Sequence, residues 1–203
     1  VIFAYNKENV GDTLLVVVAD DHGAENQVLR KKDVAQVTTL EGEIVAWNFF
    51  NISQTLKITG NGQVTLSAAD VEQLNELLAA AGFSETLTFD NEAKIVVGFV
   101  KSCKKHPDSD HLSITQTEVA EGMTLQIVCG APNIKAGQKV VVAKPGAMMP
   151  DGLLIWPGVL RGVESHGMIC SARELHLADA PAKKGILELS FDAVVGEAFP
   201  VGE

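Results

Sequence analysis

Residues 123–130, "MTLQIVCG", place Met123, Leu125, Ile127 and Cys129 on one side of an extended chain and Thr124 and Gln126 on the other. Side chains of a strand alternate between its faces, so the pattern predicts a strand with one face on a core and one in water. Four more stretches repeat the period or run continuously apolar: "AKIVVGFVKSC" (93–103), "HLSITQTEV" (111–119), "KVVVAKPG" (139–146) and "GILELS" (185–190). Five short strands in about a hundred residues predict a small closed barrel. Before the fifth strand, "SARELHL" (171–177) sets Ser171 and Glu174 at the spacing of a capping box and predicts one short helix.

Upstream of the barrel the chain reads as a second, smaller α+β domain. Strands are predicted at "VIFAYN" (1–6), "TLLVVVAD" (13–20), "AQVTTLEGEIVAWNFFN" (35–51) and "LKITGNGQVTL" (56–66), the last folded into a hairpin by positive φ at Gly60, Asn61 and Gly62. One clear helix follows. Ser67 caps it with Asp70 at the third position, Val71, Leu74, Leu78 and Ala81 recur at helical spacing, and Gly82 ends it. The polar stretch "SETLTFDNEA" (84–93) is the expected linker, which divides the chain into domains 1–92 and 93–203.

The 203 residues are 46% hydrophobic, enough to bury one or two modest cores. The first residues lack a basic start, and their longest apolar run, "LLVVVA", is too short for a signal core or a membrane span. A soluble protein without membrane contact is expected. Three cysteines, Cys103, Cys129 and Cys170, form no disulfide framework and suit a reducing, cytoplasmic setting. The net charge of −10 is uneven: residues 1–92 hold 5 Lys/Arg against 14 Asp/Glu, and residues 93–203 hold 11 against 12. Between 93 and 145 the balance turns basic, with 7 Lys against 4 Asp/Glu.

The polar cluster "HPDSDHL" (106–112) invites several chemical readings. A calcium loop would need an oxygen ligand at Leu112 and a glycine at Ser113. Zinc could be held by Cys103, His106, His166 and Cys170 only if separate loops meet, and Cys103 and Cys129 stand where cysteine acts as a small apolar residue. Asp108 and Asp110 lack a framing cleft for acid/base work, which leaves a solvated turn between strands. In "VESHGM" (163–168) Ser165 and His166 are adjacent, so their side chains need not converge. The glycines of "GNG" follow no βαβ pattern and make no dinucleotide fingerprint. No catalytic residue, metal site or cofactor is expected.

Three blocks, "HPDSDHL", "IVCGAPNIKAGQKVVVAKPGAMMPDG" (127–152) and "LRGVESHGMICSARELHL" (160–177), resemble in order and separation the tRNA-binding OB-fold domain near the start of the bacterial phenylalanyl-tRNA synthetase β chain. Such a barrel behind a small acidic α+β domain resembles the YtpR family of tRNA-binding proteins, and "NKENVGDTLLVVV" (6–18) is similar to that family's leader domain. The resemblance implies a five-stranded OB-fold and tRNA as the ligand. It leaves an aminoacyl-tRNA synthetase, another tRNA-handling protein or a second copy of the chain open as partners. It also implies that "HPDSDHL" is the bend between the first two barrel strands, with Pro107 fixing one φ and Asp108 and Asp110 accepting local backbone bonds.

By the same resemblance the RNA surface gathers Asn133, Arg161, Ser165 and Met168, with Lys144 as an added charge. Arg161 would fork onto a phosphate, Asn133 and Ser165 would bond ribose or phosphate oxygens, and Met168 would lie on a ribose or base. Each has a plainer alternative: Asn133 capping a turn, Met168 in the core, Arg161 paired with Glu164. Aromatic residues beyond 93 are only Phe99, Trp156, Phe191 and Phe199, so recognition of folded RNA through its backbone is expected over base stacking. The segment "LLIWPGV" (153–159) is uncharged where the synthetase domain commonly carries lysines. It motivates the alternative function, a module that docks a partner or itself.

Overall fold

The computed structural model describes residues 1–202, which divide into two compact units, Val1–Asn91 and one beginning at Glu92. In the first, β1 (Ile2–Tyr5), β2 (Thr13–Val17), β3 (Asn26–Lys31), β4 (Val34–Thr39), β5 (Ile44–Phe50) and β6 (Gly62–Gln63) form one antiparallel sheet in the order β3-β4-β5-β2-β1-β6. The strict alternation of β5 buries Val45, Trp47 and Phe49 on one face. Helix α1 (Ala68–Ala81) covers that face with Val71, Leu74, Leu78 and Ala81. Leu74 and Leu78 are fully buried there, each contributing about 2 kcal/mol by removal from water.

The helix ends follow from the sequence. Ser67 Oγ accepts the Asp70 amide while the Asp70 carboxylate accepts the Ser67 amide, and Gly82 closes the last turn at φ 84°. The predicted strand over 35–51 is instead two, because residues 40–43 turn between Thr39 and Glu43 with Gly42 at positive φ. The hairpin expected at 56–66 is also absent: only Gly62 and Gln63 pair, and they pair with β1. Gly60 and Gly62 have positive φ but Asn61 does not. The expected linker is anchored to this unit, since Asn75 of α1 accepts the Leu87 amide at 2.7 Å and donates to its carbonyl at 3.0 Å, seating Leu87 in the core.

The second unit is built on β7 (Ile95–Lys105). Its first half, 95–99, pairs with β10 (Lys139–Ala143), and its second half, 99–105, pairs with β8 (Ser113–Ala120). A bulge between Val100 and Ser102 bends the strand at the handover, so the sheet rolls up. The path continues to β9 (Met123–Cys129) on one side. On the other, β10 pairs with β13 (Met168–Ile169) and β14 (Glu188–Leu189). A separate hairpin, β11 (Gly158–Leu160) and β12 (Val163–Ser165), lies beside β9. Inside the curl Val96, Val100, Val119, Ile127, Val140, Val142 and Ile169 pack together. Gly98 lies where the chain passes too close for a side chain, a Cβ there falling 2.7 Å from Val142 Cγ2.

Two expectations change here. The segment 171–177 is not a helix but one capped turn. Ser171 and Glu174 form both bonds of the capping box, yet His176 already adopts the left-handed conformation at φ 51°. The Leu177 amide then reaches the Ala172 carbonyl and the His176 amide the Arg173 carbonyl, a stop signal directly behind the start signal. In β9, burial does not alternate but rises along the strand: Met123 is 46% exposed, whereas Ile127, Val128 and Cys129 are all buried, Val128 on the face expected in water. No helix among the described residues is long and apolar enough to cross a membrane.

Candidate nucleic-acid interface

Hairpin β11–β12 turns through Arg161 and Gly162, both at positive φ (47° and 80°), the geometry of a two-residue turn between antiparallel strands. The turn is docked on the bend at 106–112. His106 is buried; its Nδ1 accepts the Asp108 amide at 3.0 Å, so Nε2 carries the proton and donates to the Leu160 carbonyl at 3.1 Å. Arg161 Nη1 donates to the Asp108 carbonyl at 3.0 Å. Arg161 therefore pairs with a neutral oxygen and not with Glu164, whose carboxylate lies 3.5 Å from His166 Nε2. The exposed guanidinium keeps most of its five N–H donors and its full charge. The bend is held by His106 and by Ser109, whose Oγ accepts the His111 amide, rather than by the two aspartates. Lys104 and Lys105, at the end of β7, are exposed beside it.

Ser165 is 4% exposed. Its hydroxyl accepts the Val128 amide at 3.0 Å and points to the Gly167 carbonyl at 3.4 Å, while the His166 amide donates to the Gln126 carbonyl at 2.8 Å. These contacts fasten the end of β12 to β9. Gly167 is required at the next corner, at φ 128°, because a Cβ would come 2.7 Å from the Ala143 carbonyl oxygen. Lys144 is buried and its ammonium sits on the Glu92 carboxylate. Hydrogen bonds from Lys144 and then Lys94 hold the Glu92 carboxyl below the usual range.

Asn133 and Met168 line one cleft, formed by residues 128–133 facing 168–188. Asn133 accepts the Ile186 amide at 2.9 Å and donates to its carbonyl at 3.0 Å. Met168 is half-buried on β13 opposite Ala143. Ser165 adjoins this cleft through Val128, Arg161 stands at the far tip of the hairpin, and Lys144 belongs to a different contact. Sequence reasoning missed three cations of the cleft, Arg173, Lys183 and Lys184. The dipeptide "KK" before Gly185 was the available signal.

The four residues weighed as zinc ligands have other partners. Cys103 Sγ lies 4.0 Å from the Ile134 carbonyl, and Cys170 Sγ is 3.7 Å from that of Met168. His106 and His166 make the contacts given above. Burial pushes the Cys129 thiol up and the Cys170 thiol up to about 12, so neither forms a thiolate near neutrality.

Comparison with known proteins places these residues in a family. A family model described as "Putative tRNA binding domain" matches residues 95–198, and one described as "Domain of unknown function (DUF4479)" matches 21–90. Over 196 residues the chain is 52% identical to "Putative tRNA-binding protein YtpR" of Bacillus subtilis, covering 96% of this chain and 97% of that protein. The chain belongs to the YtpR family. This family member is also 48% identical over 143 residues to the phenylalanine–tRNA ligase β subunit of Oceanobacillus iheyensis, and 44% over 145 residues to that of Sulfurimonas denitrificans. These matches cover 68% and 70% of the chain but only 17% and 18% of the two subunits. All five residues expected at the RNA surface fall inside the matched 95–198 segment.

Proposed function

We propose that this YtpR family member is a non-catalytic, cytoplasmic tRNA-binding protein. In this reading residues 93–203 form a five-stranded OB-fold barrel that carries the RNA surface, behind a small acidic α+β domain at 1–92. The observation that carries it is the exposed Arg161 fork, set on a two-residue turn docked on the 106–112 bend, within the segment that matches the tRNA-binding family model. Arg161 takes a phosphate, with Lys104 and Lys105 beside it. Met168 and Asn133 shape the adjoining cleft, Ser165 positions the hairpin from beneath, and Lys144 stands outside this surface on the Glu92 carboxylate. The contacts of Arg161, Lys104 and Lys105 contribute about −2 to the slope of log affinity on log salt.

Filter binding of tRNA beside an unstructured RNA of equal length tests the reading. Preferential retention of tRNA at low salt is expected. Arg161→Gly should weaken it several-fold without loss of thermal stability, because glycine is at ease at the positive φ that arginine now holds. Equal and negligible retention of both RNAs by the wild-type chain would overturn it.

A second reading rests on a specific feature. Leu153, Val159 and Leu160 are 54%, 66% and 40% exposed, an apolar edge on and before the hairpin. A synthetase, another tRNA-handling protein or a second copy of the chain would dock there. Sedimentation that shows a strict monomer, together with no synthetase retained on the immobilised chain, removes that reading.

A further inference from the structure

The cleft between residues 128–133 and 168–188 has a volume of about 810 Å³, within the range of small-ligand sites. Its floor is apolar: Cys129, Ile169, Ala172 and Ile186 are each below a tenth exposed, and Met168, Pro132 and Pro181 stand around them. Its two carboxylates are already engaged. Glu174 accepts both the amide and the hydroxyl of Ser171, and Glu188 accepts Gln138 Nε2 at 3.1 Å. The rim cations are much freer. Arg173 gives only Nη2 to the Ala182 carbonyl at 3.4 Å, and Lys183 and Lys184 are exposed with no ion pair or hydrogen bond among the described residues.

An apolar slot under three cations matches one kind of ligand better than others. A purely apolar ligand leaves the charges unmatched, and a bare anion has no use for the slot. A nucleotide uses both, its flat base against thioether and proline surfaces and its phosphates at the rim. The slot also supplies a base platform that the scarcity of aromatic side chains otherwise denies this unit. Its walls are held in place by the bridge from Asn133 to Ile186, and Gly185 keeps that bridge free, since a Cβ there would fall 2.8 Å from Asn133 Oδ1.

We propose that this cleft takes one unstacked nucleotide of the bound RNA, with the flanking phosphates on Lys183, Lys184 and Arg173. The inference rests on the tRNA-binding reading above. It assigns the unpaired part of the ligand to the cleft and the phosphates of the folded part to Arg161.

The test uses the full chain, with tRNA retention measured over a range of salt for wild type, Ala182→Trp and the double variant Lys183→Ala/Lys184→Ala. Ala182 lines the cleft and is exposed, so a tryptophan there fills the slot without altering charge. Ala182→Trp should bind about tenfold more weakly, the loss of one base contact, with the salt slope unchanged. The lysine variant, whose substitutions are both on the surface, should bind more weakly with the slope shallower by about 1.4, two contacts on a single strand. Wild-type affinity in a folded Ala182→Trp, or a wild-type slope in the lysine variant, overturns the cleft assignment while tRNA binding by the wild type stands. A wild-type chain that retains no tRNA at low salt overturns both readings together.

Discussion

Asn133 turns both ends of its side-chain amide to one residue, accepting the Ile186 amide and donating to the Ile186 carbonyl, as Asn75 does for Leu87 in the other unit. In each case an irregular segment gains the pairing that a neighbouring strand would have given it. Gly185 is part of the Asn133 device, and its φ is not in the left-handed range. Asn133→Ala should therefore cost about 1–2 kcal/mol, and Gly185→Ala a similar amount by pushing the amide off its partners. In the double variant the clash has nothing to displace, so the two costs should fall short of adding by about 1 kcal/mol, as urea unfolding of the four proteins would show. None of this was legible in the sequence. Asn133 and Ile186 are 53 positions apart, as Lys144 and Glu92 are 52 apart. A one-dimensional reading sees a polar residue in a loop and cannot see that its hydrogen bonds are spent within the fold.

Elements with local signals were read well, and α1 shows why. Its cap, apolar spacing and terminal glycine all act within a turn or two of the residues that carry them. The Asp70 carboxyl lies below the usual range, chiefly through the Ser67 hydroxyl and then the Ser67 amide. A carboxyl lowered by folding adds stability that is complete above the ordinary carboxylate range, near pH 4, and is lost as pH falls through its folded value. Ser67→Ala should cost about 1 kcal/mol at pH 7, and the gap from wild type should narrow on acidification below pH 4, measured by urea unfolding at both pH values. The turn at 171–177 had an equally clear start signal, but its end depends on His176 in a conformation that side chains rarely announce. Strand β3, exposed along nearly all its length, had no burial pattern to read. The hairpin β11–β12 was hidden because its turn is Arg-Gly rather than the usual Asn-Gly.

At the scale of the whole molecule the distribution of charge dominates. A segment with 5 Lys/Arg against 14 Asp/Glu is covalently attached to a unit read here as binding a polyanion. Repulsion of that kind extends over about 10 Å at 0.1 M salt and fades as salt rises. Residues 92–203 alone, cut so that Glu92 stays with Lys144, should retain tRNA several-fold more tightly than the full chain at low ionic strength, with the difference vanishing near 0.5 M, by filter binding of both proteins across salt. The rolled sheet of that unit was foreseeable because its strands keep period two or run apolar. How it rolls was not, since that depends on the bulge after Val100 and on the bare backbone at Gly98.

The join between β12 and β9 rests on the Ser165 hydroxyl, one main-chain bond and the Gln126 side-chain amide, which donates to the Glu164 carbonyl at 2.8 Å, not on a ladder. A join of that kind works as a latch. The strip from Leu160 to His166 can lift by breaking those three bonds and the two that dock it on the bend, from His106 to Leu160 and from Arg161 to Asp108, while β7, β8 and β10 stay paired. A ligand resting on Arg161 and Met168 at once would hold the latch shut, and occupancy would register as local stiffening rather than as a change of shape.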